Sequence, residues 1–228
     1  MTGKTARIGP HQDQAVVTMG RPLGEATAAV VMVHGRGATA ESILELAREF
    51  GRPDLCYVAP QAAGATWYPY SFMAPMGQNE PYLSSALERI GEVLDLLERG
   101  GIPPERTVLL GFSQGACLSL EYAARNARRY GGVVGLSGGL IGPAGTPRDY
   151  ERNNEGNNEE NSEGGFEGTP VFLGCSDRDP HIPRERVDES AEVMREMGAE
   201  VTERIYPAMG HTVNMDEIEF VRGILASL

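Results

Sequence analysis

Lysine is almost missing from this chain: Lys4 is the only one, and arginine supplies every other basic residue. Acidic residues outnumber basic ones by 32 to 20, which leaves a formal net charge of −12. Such a surface repels nucleic-acid phosphates and anionic headgroups, so neither is expected as a partner. It suits a salt-rich cytoplasm, where counterions screen self-repulsion, and a halophilic protein is therefore expected. Long apolar runs are absent as well. No segment approaches the ~20 residues of a membrane-spanning helix, so stable membrane insertion is not expected. Residues Met1 to Gln14 are polar and hold no apolar core of a secretion signal, which makes the cytoplasm the expected location. Cysteine is scarce: Cys56, Cys117 and Cys175 form an odd set without a CxxC pair, each in an apolar stretch. They read as buried free thiols, not as a disulfide framework, a redox pair or a nucleophile.

What is present is a regular alternation. Ala28–His34 is apolar along its length, as in a strand covered on both faces, and Leu55–Ala59, Thr107–Gly111, Gly132–Leu136 and Pro170–Gly174 read the same way. Gln14–Met19 and Glu200–Tyr206 are further strand candidates. Helical patterns lie between them: Glu41–Glu49 after Thr39, Glu80–Arg99 with an apolar stripe, Ser113 to about Arg128, Arg184–Met197 and Met215–Leu228. Strands alternating with helices predict an α/β fold, a doubly wound and mostly parallel sheet with helices on both faces. A length of 228 residues fits one domain spanning 1–228. Residues 146–168 break the pattern, being dominated by Glu, Asn and Gly, and read as a mobile acidic surface loop. A cation-binding loop is the alternative, but the segment lacks EF-hand spacing.

The chemistry centres on Gly111-Phe112-Ser113-Gln114-Gly115, a G-x-S-x-G pentapeptide between a buried strand and a helix. A turn that tight strains its serine and leaves no room for side chains at the flanking positions, which is why glycine stands there. A serine hydroxyl is a poor nucleophile until a base lies within hydrogen-bond reach. On this strand–turn–helix architecture the acid and base follow in the order Ser, Asp or Glu, His. His211, in a loop between the last strand and last helix, is the expected base. Asp179, which opens Asp-Pro-His-Ile-Pro after the Pro170–Gly174 strand, is the expected acid, with Asp177 as the fallback. His181 reads as a loop-packing residue. An oxyanion hole requires two backbone N–H groups. Gln114, next to the serine, and Arg36, between Gly35 and Gly37 after an early strand, are placed to supply them. His34 reads as a brace of that loop. The Arg36 side chain is expected to face an anionic group or water. The aromatic and Met-rich stretch 67–76 would wall the substrate site, with Trp67, Tyr68 and Met73 as candidate contacts. No metal site is expected: Asp177, Asp179 and His181 lack a fourth ligand.

His-Gly-Arg-Gly at 34–37, Gly-Phe-Ser-Gln-Gly at 111–115, Asp-Pro-His-Ile-Pro at 179–183 and Gly-His at 210–211 together resemble the phospholipase/carboxylesterase family of α/β-hydrolases, which includes acyl-protein thioesterases. The resemblance covers about residues 27–228. It implies a cofactor-free serine esterase acting on a small-molecule ester: short acyl esters, lysophospholipids or thioesters. By position it assigns Ser113 as nucleophile, Asp179 as acid, His211 as base, and the Arg36 and Gln114 N–H groups as the oxyanion hole. Where the thioesterase branch carries Asp soon after its His-Gly-x-Gly, this chain has Ala38. Competing readings are a dienelactone hydrolase, marked by a Cys nucleophile where this chain has Ser, a small peptidase, and a non-catalytic ligand binder. Monomer and homodimer both suit this composition.

Overall fold

The computed structural model describes residues 9–150 and 165–228. Seven strands form one sheet: β1 (Val16–Gly20), β2 (Ala29–Val33), β3 (Cys56–Pro60), β4 (Thr107–Phe112), β5 (Gly132–Leu136), β6 (Pro170–Ser176) and β7 (Glu200–Tyr206), in the order β1-β3-β2-β4-β5-β6-β7. Only β1 runs antiparallel, against β3; the other neighbours are parallel. The expected mostly parallel α/β sheet is thus the observed one. Parallel neighbours need crossovers, and four helices lie in them: α1 (Ala40–Phe50), α2 (Tyr82–Arg99), α3 (Gln114–Arg125) and α4 (Arg184–Glu196), while α5 (Met215–Ala226) follows the last strand.

Alternation along the strands decides which helix covers which face. Ala29, Val31 and Val33 of β2 join a cluster with Ile90 of α2, Leu118 of α3 and Val187 of α4. Ala28, Val30 and Met32 point the other way, toward Leu44 of α1 and Val221 of α5. Because both faces are covered, β2, β3 and β5 are buried at every residue, which is why they read as unbroken apolar runs. β7, at the sheet edge, is half-exposed and mixes Glu, Thr and Arg with apolar residues.

The central helix α3 has no polar face: every residue from Gln114 to Ala124 is buried, including Glu121. An acid in that position requires partners. Glu121 accepts hydrogen bonds from Arg125 at 2.7 Å, the Ile141 N–H at 3.0 Å and the Tyr150 hydroxyl at 3.1 Å, with Arg148 a further 3.9 Å ion-pair partner. This network fastens residues 141–150 to the body. Of the 146–168 segment, expected to be a mobile acidic surface loop, the described ends are anchored: Tyr150 and Phe166 are both buried in the core. Residues 151–164 of that loop lie outside the described residues. So do residues 1–8; within the polar start, however, His11 is fully buried, because it pairs with loop backbone further along the chain. Among the described residues, no helix is long and apolar enough to cross a membrane.

Candidate active site

β4 ends at Phe112 and α3 begins at Gln114, so a single residue, Ser113, makes the bend. It sits at φ 56°, ψ −119°, a conformation that side-chain-bearing residues rarely adopt. The flanking glycines show what holds it there. A Cβ at 111 would collide with the Gly115 carbonyl, and a Cβ at 115 with the Val33 carbonyl of β2. The Ser113 N–H donates to Leu136 O of β5 at 2.9 Å, and its carbonyl accepts from Cys117 N–H at 3.0 Å.

The next element beyond β5 in the sheet, β6, delivers the carboxylate. Asp179 lies three residues past its end, its side chain fully shielded from solvent. Its Oδ1 accepts the N–H groups of His181 (2.8 Å) and Ile182 (3.0 Å), while Oδ2 lies 2.7 Å from His211 Nδ1. Burial pushes the Asp179 pKa up. The His211 hydrogen bond and the His181 and Ile182 N–H groups outweigh burial and leave it below the usual carboxylate range. His211 comes from the loop between β7 and α5, and its Nε2 lies 2.8 Å from Ser113 Oγ. Ser113, His211 and Asp179 therefore form one continuous hydrogen-bonded chain. The imidazole packs between Phe112, at 5.0 Å between centroids, and the edge of His181, at 4.9 Å. Asp177 is not part of the chain. It is exposed and holds the Ala208 N–H at 2.7 Å, supporting the His211 loop from outside.

The loop after β2 lies against Ser113, where a Cβ at Gly35 would fall 3.3 Å from the serine Cβ. The backbone N–H groups of Arg36 and Gln114 donate to no protein acceptor among the described residues. Gln114 is the first residue of α3, whose leading N–H groups have no partner within the helix. His34 beneath them is fully buried and uncharged in its bonding: Nδ1 donates to Gly35 O at 2.8 Å and Nε2 accepts Ala62 N–H at 3.1 Å. Its pKa is lowered by desolvation, which fits a neutral ring.

The 67–76 segment departs from the expectation of an open wall. Trp67 and Tyr68 are fully buried, so neither ring is available to a ligand. The Trp67 indole N–H donates to His34 O at 2.9 Å and its backbone N–H to the Gln114 side chain at 2.9 Å. These rings are the floor under the loop, not its wall. Met73 is half-buried and packs against the core, while Tyr70 is exposed. The Arg36 side chain is exposed to water, as one of the two expectations had it, and it also bonds residues 66–70.

Three supporting residues escaped the sequence reading. His11 Nδ1 accepts Ala63 N–H and its Nε2 donates to Trp67 O, both at 3.0 Å. Asn79, fully buried, holds Tyr70 N–H and Ser71 O. Glu217 caps α5 by accepting Asn214 N–H at 2.8 Å, but its Oε1 is buried against Gly174 with no hydrogen-bond partner among the described residues. Desolvation raises its pKa to about 7. The one available signal was the capping pattern Asn-x-x-Glu at the start of α5. Among the described residues no group of three His, Cys, Asp or Glu is placed to hold a metal ion. Cys56, Cys117 and Cys175 are buried and free.

Known proteins are similar to this chain in sequence and fold. A phospholipase/carboxylesterase from Dyadobacter fermentans has a crystal structure that superposes with a TM-score of 0.83 at 43% identity, covering 94% of this chain and 97% of that one. An acyl-protein thioesterase 1 from Emericella nidulans is 28% identical over 217 residues, 85% of this chain and 87% of its own length. Another, from Gibberella zeae, is 33% identical over 125 residues, so the match spans 55% of this chain and about half (49%) of that relative. The sequence model of the phospholipase/carboxylesterase family matches residues 12–228, and the chain belongs to that family.

Proposed function

We propose that this chain is a serine hydrolase that cleaves carboxylic esters through an acyl-enzyme on Ser113. The observation that carries the reading is the chain of short hydrogen bonds from Ser113 Oγ through His211 to Asp179. In the mechanism it supports, Ser113 Oγ attacks the ester carbonyl while His211 Nε2 takes the hydroxyl proton. Asp179 holds the Nδ1–H tautomer and stabilises the imidazolium. The negative charge on the former carbonyl oxygen is met by the Arg36 and Gln114 N–H groups, fixed before the charge develops. Collapse of the tetrahedral species expels the alcohol, which takes its proton from His211. Water then attacks the acyl-enzyme with His211 again as base, and the acid is released. No cofactor enters the scheme.

The substrate is a small ester that can approach an open bend. Tyr70 and Met73 are the residues of the 67–76 segment left to meet it, Trp67 and Tyr68 being the floor. Thioesters fit the same chemistry, since the leaving thiol needs less protonation than an alcohol, and the named thioesterase relatives favour including them. The test is a fluorophosphonate labelling experiment with intact-mass readout, run beside turnover of p-nitrophenyl esters from acetyl to palmitoyl and of a matched thioester series. One adduct on Ser113 that abolishes ester turnover is the expected result. Turnover that survives complete labelling, or preference for a peptide or enol-lactone, sinks the reading. The acidic surface and lack of lysine further suggest a salt-rich cytoplasm as its setting.

A further inference from the structure

The two residues proposed to supply the oxyanion N–H groups also have side chains that grip the same short segment. The Arg36 guanidinium folds over residues 66–70. Nη1 donates to Thr66 Oγ1 and Pro69 O, both at 3.0 Å, and Nη2 to Tyr68 O at 2.9 Å and Tyr70 O at 2.8 Å. The Gln114 amide comes from the other side: Nε2 donates to Tyr68 O and Oε1 accepts Trp67 N–H, both at 2.9 Å, with Thr66 Oγ1 at 3.3 Å. Tyr68 O and Thr66 Oγ1 are thus contacted from both residues at once. The segment cannot drift, because Trp67 and Tyr68 are fully buried and Gly37 N–H is bonded to Ala65 O at 2.7 Å. Three of the four acceptors on Arg36 are main-chain carbonyls in a fixed fan, a pattern that suits a planar fork of donors and not a point-like ammonium.

Resting on the reading above, we infer that residues 66–70 are a spacer that sets the separation of the two oxyanion donors, and that the Arg36 side chain is a positioning residue for the reaction. A donor helps only if it already sits where charge develops; a few tenths of an ångström of freedom in the loop after β2 weakens it in the transition state and hardly touches ground-state binding. The guanidinium removes that freedom. Its role is separate from that of its own N–H, which any side chain at 36 retains.

Arg36→Met and Arg36→Lys in the full chain test this. Both keep the backbone N–H. We expect kcat to fall about 10- to 100-fold with KM within about 2-fold, the lysine variant recovering little. Affinity for phenylboronic acid, which adds to the serine as a tetrahedral mimic, should fall by the same factor as kcat/KM. Added methylguanidinium should partly restore an Arg36→Ala variant. Arg52→Met is the control: it removes a guanidinium that donates to the Asp54 carboxylate and to Leu225 O and touches neither donor residue nor residues 66–70, and should lower thermal stability while sparing kcat. Wild-type kcat in Arg36→Met overturns the inference. So does a change confined to KM, or a kcat loss that Arg52→Met reproduces. Fluorophosphonate labelling of Ser113 in each variant separates the outcomes: loss of labelling in the parent would instead indict the proposed nucleophile.

Discussion

The two sides of the site are built differently. On the side proposed for the oxyanion, Arg36 and Gln114 stand on buried groups: His34, Trp67, Tyr68 and Asn79 are each fully or almost fully enclosed, the side chains of His34, Trp67 and Asn79 are hydrogen-bonded to backbone, and Tyr68 O accepts from Gln114 Nε2. On the acid–base side, His211 hangs from a loop between β7 and α5 that is half-exposed along its length, with Asp177 and the Ser176 hydroxyl holding the Ala208 and Gly210 N–H groups. Backbone dipoles stabilise charge only when they are already in place, so their side is rigid. In the proposed scheme the imidazole takes a proton from one oxygen and returns it to another, and its two ring nitrogens are bonded to Ser113 and Asp179. The contrast teaches that the more exposed side is ordered by few groups: Asp179 on the ring, Asp177 and Ser176 on the loop backbone.

The contrast can be attacked where the two sides meet. Ser113→Ala should leave the fold intact and reduce turnover by a factor on the order of 10⁶; steady-state ester hydrolysis measures it, and a near-parental rate would dissolve the scheme. Asp179→Asn strikes the acid–base side alone. It should lower kcat about 10⁴-fold through the wrong imidazole tautomer while phenylboronic acid affinity falls far less than kcat, since the donors are untouched.

Beneath the same loop, Glu217 offers a test through stability. Its folded pKa, about 7, lies above the 4.5 of an exposed glutamate. Below 4.5 both states are protonated. Between 4.5 and 7 the unfolded chain gives up a proton that the folded chain keeps, so stability declines as pH rises through that window and is level above it. Glu217→Gln should remove the decline, a difference on the order of 3 kcal/mol by pH 8, read from urea midpoints at pH 4.5 to 8.5. Parallel pH profiles for parent and variant would show that the carboxyl is not the source. The smallest effect is expected at Asp177→Ala, which frees one exposed N–H on the His211 loop: about 1 kcal/mol or less, with a few-fold drop in kcat. An effect on phenylboronic acid affinity larger than on kcat would mean that the two sides are not independent.

What could be read from residues alone follows the range of the forces involved. The strands were legible because burial on both faces forces unbroken apolar runs, and Gly132–Leu136 and Glu200–Tyr206 match their observed bounds. The bend at Ser113 was legible because steric exclusion at 111 and 115 permits only glycine. The placement of Asp179 and His211 beside Ser113 followed from chain order on a parallel sheet. The side-chain fate of the 66–70 segment was not legible. Aromatic residues near a site look alike whether they line it or lie beneath it, and only the long-range bonds from His34, Arg36 and Gln114 decide. Glu121 was hidden for the same reason, although Arg125 one turn along was a clue.

The unbroken enclosure of α3 has a consequence for how this protein dies. Its amides have no path to solvent short of opening the central sheet, so their hydrogen exchange should proceed only through global unfolding. Ser113 is joined directly to that helix, and the bend therefore survives as long as the fold does. Heat-killed activity that precedes loss of tertiary structure must then originate at the imidazole loop, which leaves the helix amides still protected at the moment the catalyst falls silent.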